Sequence, residues 1–258
     1  MATGKINVSA DNIFPIIKKF LYSDHEIFLR ELISNAVDAT NKLKTLSNLG
    51  EFKGELGDLT IQVHIDKKKK QLRIVDRGIG MTHDEVQKYI NDVAFSGAEE
   101  FVKQYEGKVE KGAMIGHFGL GFYSSFMVSS QVEIKTRSWK SSDDKEGAHW
   151  SCDGSPEFEL KGCTKKDRGT EIILHIDSES EDFLEEFKIK ELLKKYARFM
   201  SIPIQCGEKE ERVNVAAEGE EAKYETVKKA DIINETEPAW TKKPSELSGE
   251  DYNKFYKA

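Results

Sequence analysis

Apolar residues at Leu32, Ile33, Ala36, Val37, Ala39 and Leu43 recur at helical spacing and predict one long buried helix from about residue 26 to 46. Glu31, Asn35, Asp38 and Lys42 interrupt it at steps of 4, 3 and 4. At about 100° per residue these four polar groups share an arc of roughly 60°. Leu32, Ile33, Ala36, Val37, Ala39, Thr40 and Leu43 cover the remainder. Burying a carboxylate and a carboxamide is costly unless something binds them. A stripe of acid, amide, acid and amine on a buried helix therefore predicts the wall of a pocket.

The same reading extends along the chain. Ser9 or Asp11 is set to cap an earlier helix with Ile13, Ile16, Ile17, Phe20 and Leu21 on its apolar face. Residues 59–65 alternate as a half-buried strand, with 71–76 as its hairpin partner. Thr82 and Glu85 have the spacing of a capping box for a helix over 81–93. From about 96 to 121 the chain is rich in glycine and charge without periodicity, which predicts a long functional loop. Strands are expected at 131–137, 148–152, 157–160 and 170–176. A helix over 181–200 should bury Phe183, Leu184, Phe187, Leu192, Leu193, Tyr196 and Phe199, and 202–206 should form a closing strand with Pro203 at its edge. Hairpin strands with helices before and after them predict an α+β layer sandwich.

Composition narrows the class. Charged residues make up 33% of 258, and the net charge is -7, which argues against a general nucleic-acid binder. The basic run Lys67, Lys68, Lys69 and Lys70 fits a solvated hairpin tip. No apolar run approaches the roughly 18 residues of a membrane span, and no signal-peptide core follows Met1. Cys152, Cys163 and Cys206 lack paired-ligand spacing, so reduced thiols and a cytoplasmic location are expected. The content of Glu and Lys rises over 208–230 and predicts a charged linker. Hydrophobic content then returns at Ile232, Ile233 and Trp240. The expected division is therefore a first domain over 1–207, a linker over 208–230, and the start of a second domain over 231–258.

Two clusters add chemistry to the stripe. Asp76 ends a strand and opens Asp76-Arg77-Gly78-Ile79-Gly80-Met81, in which a carboxylate could accept an exocyclic amine while glycines let a flat ligand approach the backbone. Gly116-His117-Phe118-Gly119-Leu120-Gly121-Phe122 offers unhindered N–H groups before a helix-like stretch, as phosphate cradles do. Gly169-Thr170 opens a later strand. Each alone is also an ordinary turn. No Walker-type motif occurs, and no strand directly precedes the glycine cluster, so the P-loop and dinucleotide-fold readings fail.

Taken together and in this order, the motifs resemble the ATPase superfamily of DNA gyrase B, MutL, histidine kinases and ninety-kilodalton heat-shock chaperones. Residues 22–39 (YSDHEIFLRELISNAVDA), 78–82 (GIGMT), 119–124 (GLGFYS) and 237–244 (EPAWTKKP) are similar to the bacterial HtpG-type chaperone branch. The resemblance implies a two-layer sandwich of a mostly antiparallel mixed sheet with helices on one face. It implies ATP or ADP as ligand and Mg²⁺ as cofactor, client proteins as partners, a homodimer in the full-length protein, and neither nucleic acid nor membrane.

By the same resemblance, Glu31 would polarise the attacking water and Asn35 would hold Mg²⁺. Asp76 would receive the adenine amine, with Thr170 supporting it. Asp38, Ala39, Lys42, Gly80 and Met81 would line the nucleoside part. Gly116, His117, Phe118, Gly119, Gly121 and Phe122 would contact the phosphates. The branch places an Arg for the γ-phosphate beyond residue 258, which implies slow hydrolysis by this stretch. Three positions depart from the pattern: Phe95 stands where Lys is usual, Tyr89 replaces an Asn, and His117 replaces a Gln. A DNA-processing ATPase of the same superfamily and a non-catalytic binding module remain as alternatives.

Overall fold

The computed structural model describes residues 24–91, 97–106, 108, 114–116, 120–214, 224–241 and 247–249. The expected first helix, Phe95, and the lid residues His117, Phe118 and Gly119 lie outside them.

Helix α1 runs Ile27–Asn48. It contains neither Pro nor Gly, and its buried face includes Phe28, Leu29, Leu32, Ile33, Val37, Leu43 and Leu46. Glu26, just before it, holds Lys188 at 2.5 Å and Lys195 at 2.9 Å, tying the start of α1 to a later helix. The strands are β1 (Ile61–Asp66), β2 (Gln71–Val75), β3 (Ser129–Arg137), β4 (Gly147–Cys152), β5 (Glu159–Cys163), β6 (Gly169–Ile176), β7 (Ile204–Asn214) and β8 (Tyr224–Ile232). They form one sheet in the order β5-β4-β3-β6-β2-β1-β7-β8. Only the β1–β7 pairing is parallel, so the sheet is mixed and mostly antiparallel.

Strand alternation decides the layers. Val63, Leu72, Ile74, Val132, Ile134, Trp150, Leu174 and Ile176 pack in one core with α1, while His64, Arg73, Glu133, Lys135, His149 and His175 carry the opposite, polar face. There Glu133 receives both His149 and His175 at 2.7 Å, which ties three neighbouring strands together. Fully burying a side chain such as Leu32 or Ile74 contributes about 1.5–3 kcal/mol, so this single face supplies most of the drive to fold. The fold is the expected α+β sandwich.

Four elements differ from the sequence reading. The capping box at Thr82 is present, yet the α-helical part, α2, is only His83–Val86 and widens into a π-turn at Gln87–Asn91. A helix, α3 (Gly97–Gln104), occupies the start of the expected loop and docks Phe101 and Tyr105 near Leu46. The expected helix over 181–200 is broken: extended Glu185 separates a 3-10 turn, Glu181–Leu184, from α4 (Glu186–Ala197). The break resets the helical phase, so Ile189, Leu192, Leu193 and Ala197 face the core, whereas Phe187 is 81% exposed. Phe199 is also largely exposed and packs edge-on against Trp240 at 4.5 Å.

The expected charged linker is the fourth. Residues 208–214 pair with 224–230 as an antiparallel ribbon that extends the sheet. The pairing runs on backbone hydrogen bonds and on ion pairs such as Lys229–Glu211 at 3.1 Å, neither of which needs apolar residues. The chain then returns to the sheet unit. Asn234 accepts from the N–H of Ile204 at 2.8 Å and donates to the carbonyls of Met200 and Ile202, and Asp231 pairs with Lys190. Residues 231–235 therefore pack on the same unit as β1–β7.

Candidate active site

Asp76 takes its place from strand parity. Leu72 and Ile74 point into the core, and the next position in that row is Asp76, just past the end of β2. Its carboxylate is buried, and Oδ1 accepts the N–H groups of Gly78 at 2.8 Å and Thr170 at 3.3 Å. Among the described residues none donates to Oδ2. Burial pushes the acid up to about 6 despite the two backbone donors. A buried carboxylate with a spare oxygen suits a ligand that brings its own N–H, such as the amine of a purine.

Thr136 and Thr170 close this end. They continue the inward rows of β3 and β6, and their hydroxyls lie 3.0 Å apart. The Thr136 hydroxyl also receives the N–H of Met81 at 2.9 Å. Thr136 was not among the residues singled out from sequence, although the alternation Val132, Ile134, Thr136 marks it as an inward polar group. The loop between Asp76 and Met81 is stitched to its surroundings: Ile79 donates to the carbonyl of Ala39 on α1 at 3.1 Å and accepts from the N–H of Trp139 at 2.7 Å. Gly80 has φ +57, and a Cβ there would collide with the Arg137 carbonyl, so the close approach requires glycine.

The bond from Ile79 to Ala39 fastens the loop after Asp76 to α1 one residue past Asp38. Glu31 is half-buried, and its Oε1 is clasped by its neighbour Arg30, at 2.6 Å from Nη2 and 3.1 Å from Nε. Arg30 is a second group that the sequence reading passed over; its only signal was adjacency. Across from Glu31, Gly121 opens a 3-10 turn, Gly121–Met127, and a Cβ there would strike the Glu31 carboxylate. Phe122 points away into the core, edge-on to Trp150. Asn35 is exposed, and its amide oxygen lies beside Gly116.

Asp38 and Lys42 are committed elsewhere. Asp38 accepts from the backbone of Ile115 at 2.9 and 3.0 Å and of Gly116 at 2.8 Å. The Gly116 N–H, expected at the phosphates, therefore goes to α1 here. Lys42 donates to the carbonyl of Gly97 at 3.0 Å, and burial lowers its pKa against the opposing pull of Asp38. Tyr89, at one of the departing positions, donates to Glu100 at 2.8 Å.

Close approaches thus link Glu31 to Gly121, Asn35 and Asp38 to Gly116, Ala39 to the loop after Asp76, Asp76 to Thr170, and Gly80 and Met81 to the strand end at Thr136 and Arg137, while Lys42 turns to Gly97 and Phe122 points inward. The donor set fits a nucleotide. It has a spare buried carboxylate oxygen at one end and, at the other, an exposed amide able to reach a divalent ion beside an acid able to orient water. Among the described residues no cluster of His, Cys, Asp and Glu is arranged to hold a metal by itself, so an ion here would depend on Asn35 and on the ligand's own oxygens. No described helix is long and apolar enough to cross a membrane.

Comparison with known proteins identifies the family. The chaperone protein HtpG of Porphyromonas gingivalis is 54% identical over 255 residues, which cover 99% of this chain and 36% of that protein. HtpG of Bacteroides thetaiotaomicron is 56% identical over 256 residues, again 99% and 36%, and that of Hydrogenovibrio crunogenus 39% identical over 258 residues, 98% and 39%. The chain spans little more than a third of the length of these relatives. A family model described as histidine kinase-, DNA gyrase B- and HSP90-like ATPase matches residues 22–167, which include Glu31, Asn35, Asp76 and the glycine cluster. The chain belongs to that ATPase family.

Proposed function

We propose that this chain is the N-terminal nucleotide-binding and hydrolysing domain of an HtpG-type chaperone. The observation that carries the reading is the bond fastening the loop after Asp76 to α1 at Ala39, one residue past Asp38, beside a buried Asp76 carboxylate with a spare oxygen. Adenine sits at Asp76, Thr170 and Thr136, against the glycine-relieved backbone of Gly80 and Met81. The phosphates lie toward Asn35 and the turn at Gly121, with His117, Phe118 and Gly119 completing their surroundings.

Asn35 would hold Mg²⁺, whose charge would neutralise the phosphate oxygens. Glu31 orients and polarises the attacking water, while Arg30 fixes the rotamer of that carboxylate through Oε1. Phosphoryl transfer asks chiefly for positioning and charge stabilisation, which these groups supply. In the full-length protein, nucleotide binding favours closure of the segment from about Ala94 to Ser125 over the phosphates, pairing of two copies, and remodelling of unfolded clients in the cytoplasm. Residues 1–258 alone hydrolyse slowly; residues to about 235 form the nucleotide-binding unit, and a further domain begins after them. Identity to HtpG chaperones over nearly the whole chain supports this part of the reading.

Calorimetric titration with ADP and Mg²⁺ tests the proposal. Saturable one-to-one binding that weakens at least tenfold in Asp76→Asn is expected. Absence of binding by the folded wild-type chain would overturn it.

A further inference from the structure

Steps of four residues along α1 carry Asp38, Lys42 and Leu46, so these side chains rise on one face over two turns, about 12 Å. Each meets a different part of the segment 97–116. Lys42 holds the carbonyl of Gly97, the first residue of α3. Leu46 packs in one apolar cluster with Phe101, Tyr105 and Met114, a cluster separate from the main core. Asp38 takes the backbone N–H groups of Ile115 and Gly116. Beyond the end of α1, Glu51 accepts the Tyr105 hydroxyl at 2.5 Å. Gly97 thus meets α1 at Lys42, Phe101, Tyr105 and Met114 meet it at Leu46, and Ile115 and Gly116 meet it at Asp38, one turn before Lys42.

We propose that Asp38 and Lys42 are positioning residues that pin residues 115–116 and the start of α3 to α1, with Leu46, Glu51 and Tyr105 as an outer fastening of α3. The role differs from lining the nucleoside, which the family resemblance implies for both residues, although its value for catalysis rests on the nucleotide reading above. Two features favour it. Burying the Lys42 ammonium is unfavourable without a partner, and the Gly97 carbonyl is the acceptor supplied. A carboxylate that accepts successive backbone N–H groups also fixes the direction of the chain, not just its distance. Pinning residues 115–116 sets where the glycine cluster begins, three residues before Gly119 and five before Gly121.

Hydrogen exchange read by mass spectrometry on the full chain, with and without ADP and Mg²⁺, tests this. In the nucleotide-free protein, Lys42→Met should speed exchange across 97–106 by at least tenfold. Asp38→Ala should do so at Ile115 and Gly116, and Asp38→Asn, which keeps one acceptor oxygen, should restore part of the protection. Tyr105→Phe lies outside the nucleotide pocket and should speed exchange over 97–106 about threefold. In all four variants β1, β2, β3 and β6 should exchange as in wild type, which separates local release from unfolding. With nucleotide, dissociation should quicken in the Lys42 and Asp38 variants more than association slows. Unchanged protection in the nucleotide-free variants would overturn the latch. If instead protection is lost as expected but wild-type protein shows no ADP binding, the latch stands and the nucleotide reading falls.

Discussion

The two ends of the pocket are held by different kinds of structure. At the Asp76 end the groups hang from strand termini: Asp76 after β2, Thr170 in β6, Thr136 in β3, all in register across neighbouring strands and backed by the main core. At the Glu31 end, α1 supplies side chains and the facing wall is backbone: 114–116 is attached to α1 by a few polar bonds and one small apolar cluster, whereas 120–121 leads into a 3-10 turn packed in the main core. The first end is set by sheet folding. At the second, Gly121 is held by core packing, and only 114–116 rests on contacts weak enough to exchange one at a time. Recognition of a base needs fixed partners, whereas phosphoryl chemistry needs a wall that lets substrate in and product out.

Variants should separate the ends by which quantity they change. The largest effect is expected at Glu31. Glu31→Ala should lower the ATP turnover rate by about 10²- to 10⁴-fold, the usual range for a general base, with nucleotide affinity within about threefold of wild type. Steady-state turnover beside calorimetry checks both, and full turnover in the variant would remove Glu31 from the chemistry. Next is Asp76→Asn, which swaps an acceptor for a group that presents a donor toward the base. A hydrogen bond to a charged group is worth about 1.5–3 kcal/mol, so affinity should fall roughly 10- to 100-fold.

The same substitution should raise thermal stability at pH 7 without ligand. The folded pKa of about 6 lies above the unfolded value near 4. The associated stability is therefore complete below about pH 4 and lost as pH rises through about 6. Removing the buried charge recovers it, and a melting temperature lower than wild type would contradict that sign. Affinity for nucleotide should follow the opposite course. It should hold from pH 8 to 7 and then drop, reaching about tenfold weaker by pH 5, because the amine needs the ionised acid. Calorimetry across that range checks it, and a flat profile would place the base elsewhere. The smallest change is expected for Thr136→Val, which loses neutral hydrogen bonds of about 0.5–1.5 kcal/mol and should weaken nucleotide binding roughly three- to tenfold without altering turnover.

The same contrast explains what could be read from the chain. Alternation and helical spacing located α1, the β1–β2 hairpin and the strand end at Asp76, because each element buries one face against the main core. The capping box at Thr82 was legible because both partners are local. Helix α3 was not, since only Phe101 and neighbours mark it and its support comes from Leu46, more than fifty positions away. The β7–β8 ribbon was hidden because backbone pairing and ion pairs leave no hydrophobic trace. Phe187 was misplaced because nothing in the spacing announces the extended backbone at Glu185. In the site, carboxylates and glycines stood out by type. The partners that orient them, Arg30 and Thr136, are ordinary residues given meaning only by their neighbours.

One nucleotide is expected to bridge the sheet end and the helix end of this site. A crystal structure with ADP and Mg²⁺ bound tests it directly. The account predicts the adenine amine within hydrogen-bond distance of the Asp76 carboxylate, and the metal on the Asn35 side-chain oxygen with the phosphates beside Gly121. A nucleotide seated away from Asp76, or a metal bound with Asn35 facing solvent, would contradict it.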